Sequence, residues 1–370
     1  MSDEDKRKLQ VTGGAHGSFT ISLPKNWVRD LNLKKGERLF VMREPDGRLS
    51  IYPPSLSSFT ATKPGSVAAF EVYKAPGKQD DKEEQEMADM LTRKIVSAYL
   101  LGYNDIQLKG SLSENVRKTI LGFAQRRLLG LTPVTNSHDL MRFKMFGDSG
   151  KKLKEVLDDV KNGVLGMLND ALQLLAGNSF NSEIGGFIEN AEQTIASYYF
   201  FIVRLLKAAV DEPKVRANLG LRHGRDLIGC RLMIKSIERI SNHVAKIARL
   251  ARYVKWPISV YGNHCVLVIN NGLKRTIQVF TEALNAHPLL GKSDFECANL
   301  AIRDARREFD EIRALLNPEK KDLFIRDSNM RIIIESVGRT CEYASDIAEI
   351  VLNLTVEDLL TAQSKNSAKK

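Results

Sequence analysis

The hydrophobic period changes along this chain, and that change limits what it can fold into. Over the first fifty residues apolar side chains alternate at a spacing of two in four short stretches, Lys8–Val11, Phe19–Leu23, Arg38–Arg43 and Arg48–Tyr52. That spacing is the signature of half-buried strands. From Lys151 onward the apolar residues recur at three and four, as on amphipathic helices. A chain patterned in both ways is a multidomain α+β protein.

The first module is read in detail. Asp46-Gly47 marks a hairpin turn between the last two strands. One helical turn, Lys25–Leu31, separates the middle strands, with Pro24 at its start where a missing N–H costs least. Four short strands bury too little apolar surface to stand alone, so the module is expected to dimerise through its strands. The motifs Gly17-Ser18-Phe19-Thr20-Ile21-Ser22-Leu23-Pro24-Lys25, Leu33-Lys34-Lys35-Gly36-Glu37 and Asp46-Gly47 resemble the AbrB-like swapped-hairpin DNA-binding domain over residues 6–53. That family binds DNA as an interlaced dimer. By matching position, the resemblance implies DNA contact for Arg7, Lys8, Lys25, Arg29 and Arg38. A pure dimerisation module with ordinary surface lysines is the competing reading. Residues 1–54 hold ten Lys/Arg against seven Asp/Glu, a net +3, so charge alone does not choose.

With 370 residues the chain is expected to hold two to four domains. Its apolar content of 43% and charged content of 27% describe a soluble globular protein. No apolar run reaches membrane-spanning length, and MSDEDKRK is not a signal peptide, so a cytoplasmic protein without membrane insertion is expected. Cys230, Cys265, Cys297 and Cys341 form no CxxC pair and are expected as small buried side chains in a reducing compartment. The net charge of +10 permits polyanionic partners but is spread evenly along the chain.

Pro53-Pro54-Ser55 closes the first module, residues 1–54, and Ser55–Gly65 reads as a linker. Residues 66–147 follow the order strand (Val67–Tyr73), helix (Glu83–Leu101), strand (Asp105–Leu108), helix (to Leu129), strand (Leu140–Phe146). This predicts a small α/β sandwich with helices on one face, and Ser111-Leu112-Ser113-Glu114 is read as a capping box. No catalytic constellation is present in it.

Three long helices follow, Lys151–Ala176, Glu183–Ala209 and Arg225–Tyr253, with Pro213 and Gly220 as breaks before the third. A second set, Asn263–Ala286, Asp294–Leu316 and Leu323–Leu354, repeats the plan, so residues 148–258 and 259–370 are read as tandem three-helix bundles. Their third helices superpose at an offset of one hundred residues. Tyr199-Phe200-Phe201-Ile202-Val203-Arg204-Leu205-Leu206, Leu227-Ile228-Gly229-Cys230-Arg231-Leu232 and Ile237-Glu238-Arg239-Ile240-Ser241-Asn242-His243-Val244 resemble the PhoU family of phosphate-uptake regulators. An AbrB-like head on a PhoU-like body is an arrangement associated with archaeal phosphate-uptake regulators. The resemblance implies regulation of phosphate uptake and a protein partner such as a phosphate ABC transporter or a signalling kinase.

That family carries a metal-holding motif, Glu/Asp-x3-Asp, on its third helices. The first repeat departs from it, with Glu238-x3-Asn242-x3-Lys246. Arg231, Lys235, Arg239, Lys246 and Arg249 share one helical stripe, a candidate face for an anion or an acidic partner that would repel a metal ion. The second repeat keeps Glu342-x3-Asp346, with Glu335 and Glu349 on the same stripe. Carboxylates at that spacing suit a divalent Mg, Mn or Fe ion, though a solvated acidic face, or one paired with the basic stripe, explains them too. The histidines His16, His138, His223, His264 and His287 read as isolated, and His243 among cations is a poor ligand. Gly13-Gly14-Ala15-His16-Gly17 lacks the Lys-Ser/Thr of a phosphate loop, and no nucleophile–base arrangement can be argued. The chain therefore reads as a DNA-binding, dimeric, non-enzymatic regulator of phosphate homeostasis. The rivals are a protein-interaction regulator without DNA contact and a metal-binding protein.

Overall fold

The computed structural model describes residues 7–12, 18–43, 47–52, 67–72, 81–146, 152–317 and 325–367. The glycine-rich run 13–17, Asp46 of the expected turn, the linker, and Leu323 lie outside the described residues. The chain forms two compact units, Met1–Phe59 and Thr60–Lys370.

In the first unit β1 (Gln10–Thr12) pairs antiparallel with β2 (Ser18–Thr20), and β3 (Phe40–Arg43) with β4 (Leu49–Tyr52). The helix α1 (Lys25–Asp30) lies between the two ribbons in sequence and starts directly after Pro24, as expected. Gly47 has φ +87, a left-handed conformation that glycine adopts without strain. No described side chain of this unit is buried. Leu9, Val11, Phe19, Ile21, Phe40, Val41 and Leu49 are between 45% and 70% exposed.

The second unit opens with a four-stranded sheet in the order β5-β6-β8-β7, formed by β5 (Val67–Glu71), β6 (Asp105–Lys109), β7 (Leu131–Asn136) and β8 (Leu140–Met145). β5 and β6 are parallel, while β6 with β8 and β8 with β7 are antiparallel. Ile106, Leu108, Met141 and Phe143 face α2 (Asp81–Leu100) and α3 (Glu114–Arg127), giving one core covered by helices. The expected strand–helix order lacked β7. That strand carries Pro133 at a register shift and lies on the sheet edge, where a missing donor and a bulge are tolerated. The expected capping box does not form: Ser113, not Ser111, is the N-cap, its hydroxyl accepts from Val116 N–H, and valine at that third position has no side chain to return the bond.

The helices α4 (Leu153–Ala176), α5 (Ser182–Asp211), α6 (Pro213–Asn218), α7 (Gly224–Ala251), α8 (Asn263–Ala286), α9 (Phe295–Leu316) and α10 (Ser328–Ser367) complete the unit. Pro213 does not merely break the chain; it starts the short α6 at the first helical position. α10 runs thirteen residues past the expected end at Leu354. The two repeats share one continuous apolar core, reaching from Leu153 to Val351. They therefore form one body, so the expected separation at residues 258 and 259 is a repeat boundary within a common core.

The sandwich is held to the helices by one stripe of α5. Glu192 takes a bidentate pair from Arg127 at 3.1 and 3.4 Å, and Phe200 packs edge-on against Phe123 with centroids 6.5 Å apart. Arg204, 2% exposed, donates to the carbonyls of Tyr99, Gly102 and Tyr103 and to Asn104 Oδ1. Its guanidinium thus closes the C-terminal end of α2, where carbonyl oxygens lack helical partners.

Candidate nucleic-acid interface and the charged helix faces

In the first unit Arg7, Lys8, Lys25, Arg29 and Arg38 are all exposed. Lys25 and Arg29 stand on α1, one turn apart, and Arg29 donates to Asn26 Oδ1 at 3.0 Å. Arg38 precedes β3, and Arg7 and Lys8 precede β1. Cations thus stand on both the strand flanks and the short helix, the residue type that contacts phosphates, and large apolar side chains of the strands are exposed too.

In the second unit α7 and α10 lie antiparallel, as Gly229 beside Leu354 and Arg239 over Tyr343 show. The crossing relates position 241 to position 341, so the repeat offset of one hundred becomes an approximate two-fold relation between the helices. The basic stripe is partly consumed within the fold. Arg231 donates to Tyr199 Oη at 2.9 Å and stands over its ring, and Lys235 lies 4.9 Å from the same ring. Lys235 also pairs with Glu238 at 2.7 Å. Arg239 stands 5.3 Å from the Tyr343 ring centre. Arg239, Lys246 and Arg249 remain exposed.

On α10, Glu342 is engaged by Arg339 at 2.7 Å. The Asp346 carboxyl is raised by burial and by Glu349 and Glu342, and lowered by Arg239 of the facing helix. Glu335 and Glu349 are exposed. Among the described residues, no three His, Cys, Asp or Glu side chains converge as a metal site. The two stripes thus meet along the α7–α10 seam, where Arg239 feels Asp346 and His243 feels Glu335 and Glu342. Burial, then Lys246 and Arg339, hold His243 below its ordinary value.

Two readings of single residues change. His223 and His287, expected to be isolated, line one cavity together. His138 bonds Asp139 at 2.7 Å and Ser111 at 3.0 Å. Cys230, Cys265 and Cys341 are buried, as expected, while Cys297 is half-buried. Burial pushes the Cys230 thiol up to about 12, which makes it inert as a nucleophile. Sequence reasoning missed Arg204 because an arginine inside the apolar run Tyr198–Leu206 reads as an interruption of a core stripe. No helix among the described residues is long and apolar enough to cross a membrane.

Residues 15–58 match the family described as antidote-toxin recognition MazE, bacterial antitoxin. The match falls on the segment whose motifs resemble the swapped-hairpin domain, and the first unit is similar to that family. Among solved structures, PhoU from Pseudomonas aeruginosa is similar at 18% identity, with 55% of this chain and 94% of that chain covered and a TM-score of 0.42. No curated protein matches the chain.

Proposed function

We propose that this chain is a non-enzymatic, DNA-binding regulator that acts in the cytoplasm as a dimer, with a helical body that links DNA binding to phosphate supply. The observation that carries the DNA reading is in the first unit. Seven of its large apolar side chains are exposed in a single chain, and Arg7, Lys8, Lys25, Arg29 and Arg38 are exposed as well. A swapped-hairpin dimer would cover the apolar set and bring two sets of cations together on one surface. The match over residues 15–58 to an antitoxin family supports this assembly. The phosphate link rests on the resemblance of the α5 and α7 segments to phosphate-uptake regulators.

Genome-wide occupancy of DNA at high and low phosphate tests both halves of the reading. Occupied sites that change with phosphate are expected. DNA retardation by the purified chain should be lost in the Arg7/Lys8/Lys25/Arg29 quadruple alanine variant. Full retention of DNA by that variant would leave the head as a dimerisation module and the body as the site of partner recognition.

A further inference from the structure

The four-stranded sheet has two edges, and only one of them is guarded. An edge strand presents a row of unpaired N–H and C=O groups, which proteins blunt with proline, bulges or charge. β7 carries Pro133 and a register shift beside it. β5, at the other edge, reads Val67-Ala68-Ala69-Phe70-Glu71 and pairs with β6 without a register shift. It holds no proline and no lysine, and its one charge is at its last residue.

One bond shows where the free groups of β5 point. Val72 N–H donates to the Lys109 carbonyl of β6 at 2.8 Å. Successive residues of a strand turn their N–H and C=O to opposite edges, so Ala68 and Phe70 bond to β6. Those groups of Val67, Ala69 and Glu71 turn to the free edge, and among the described residues no hydrogen bond reaches them. The core is also incomplete at this edge. On the helix-facing side Ile106, Leu108, Met141 and Phe143 of the inner strands are fully buried, whereas Ala68 and Phe70 are half-buried. Lys94 of α2 stands 5.8 Å from the Phe70 ring centre, and Met90, one turn before it, is 42% exposed.

We propose that β5 pairs antiparallel with β5 of a second copy about a two-fold axis at Ala69, joining two four-stranded sheets into one. In that register Val67 faces Glu71 of the second copy, Ala69 faces its Ala69, and Glu71 faces its Val67. These are pairs of the hydrogen-bonded kind, each exchanging both N–H···O bonds, so every free group of the three residues is used. The positions between them are the close pairs, with Cα atoms about 4.5 Å apart. There Phe70 faces Ala68 of the second copy, and Ala68 faces its Phe70. A large ring meets a small side chain twice, and each Phe70 gains cover that its own sheet does not supply. No like charges stand opposite. Sliding the copies by two residues either way uses only two of the three residues and sets Ala68 against Ala68 or Phe70 against Phe70. The strand is thus complementary to itself, which favours a second copy over a foreign strand as the occupant. This contact is separate from the association of the heads and goes beyond the DNA-binding reading.

Sedimentation of the full chain tests it, with Phe19→Asp and Leu49→Asp present throughout to remove the association of the heads. At about 100 μM that chain should still reach twice 41.5 kDa. Ala69→Pro removes the outward N–H at the axis and touches none of the bonds to β6. Ala69→Lys sets two like charges face to face. Either change should weaken the association by about tenfold or more. Mixing the Ala69→Lys chain with an Ala69→Glu chain should restore it, which a chain damaged in its fold at β5 would not do. Val134→Lys, on the blunted β7 edge, should leave the mass unchanged. A single-chain mass before any change in β5 would overturn the proposal and leave the edge to a strand of another protein. A two-chain mass that survives both Ala69→Pro and Ala69→Lys, or no recovery on mixing, would overturn it as well.

Discussion

A guanidinium buried without a carboxylate has to be matched by neutral oxygens, and Arg204 is matched by three carbonyls and one side-chain amide oxygen. Those oxygens sit at the end of α2 and the turn after it, so the residue ties the sandwich to α5. Arg204→Met keeps the volume and removes the donors. It should destabilise the chain by roughly 2–4 kcal/mol, since the buried carbonyls lose a charged donor and that of Tyr99 keeps only the Gly102 N–H. Arg204→Lys should recover little of this, because one ammonium cannot span the fan of acceptors. Denaturant unfolding of both variants checks the order. A second residue-scale prediction concerns acid. Burial drives His287 down from its ordinary 6.5 to about 4. Below pH 6.5 the unfolded chain takes up a proton that the folded chain refuses, so stability falls as pH drops from 6.5 towards 4. The full loss from this one group is about 3 kcal/mol. His287→Gln should remove that part of the acid slope, and unfolding of both proteins at pH 7 and pH 4.5 measures the difference.

At the scale of elements, glycine separates the helices that must touch from those that need not. A Cβ on Gly272 of α8 would come 2.6 Å from Val337 Cγ1 of α10. Val337 is fully buried and has no room to move. A Cβ on Gly166 of α4 would meet nothing within 4 Å. The same substitution should therefore have opposite signs. Gly166→Ala should stabilise by about 0.5–1 kcal/mol through helix propensity. Gly272→Ala should destabilise by about 1–3 kcal/mol, because overpacking at a helix crossing outweighs the same propensity gain. Thermal unfolding of the two single variants reads the sign directly. The elements themselves were largely legible in the sequence, and the reasons are local. α8 was readable to the residue because its apolar period is unbroken and His287 and Pro288 follow it. β7 was not, because Pro133 and three polar residues hide its alternation and only the neighbouring β8 makes it a strand. The end of α10 was not, because its last turns are held by pairs with Arg222 and Arg225, which lie more than 130 residues away in sequence. The basic and acidic stripes were legible as stripes. Their partners, Tyr199, Tyr343 and Glu238, were not, since a helical period says which residues share a face and not what that face meets.

At the scale of the whole molecule the two units differ in kind. Thr60–Lys370 has cores of its own, whereas Met1–Phe59 fully buries none of its described apolar side chains and exposes several large ones. A chain that leaves Phe19 at 70% and Leu49 at 64% exposed needs a partner to cover them. At micromolar concentration the 41.5 kDa chain should therefore sediment at twice that mass or a multiple of it. Phe19→Asp combined with Leu49→Asp should weaken that association by placing carboxylates in the covered surface. The same double variant should lose DNA binding with all five cations still present, because each chain alone offers only half the surface. Salt then separates phosphate contact from other attraction. Each contacted phosphate contributes about −0.9 to the log–log slope of affinity against salt, so a dimer using six to ten of its ten head cations should lose roughly 10³–10⁵ in affinity between 50 and 200 mM salt. Replacing Arg7, Lys8, Lys25 and Arg29 by alanine should flatten that slope as well as weaken binding, since it removes the charges that release counterions. A steep slope that survives the quadruple replacement would move the DNA contact off the head, and a flat slope in the unaltered chain would refute phosphate-led recognition altogether.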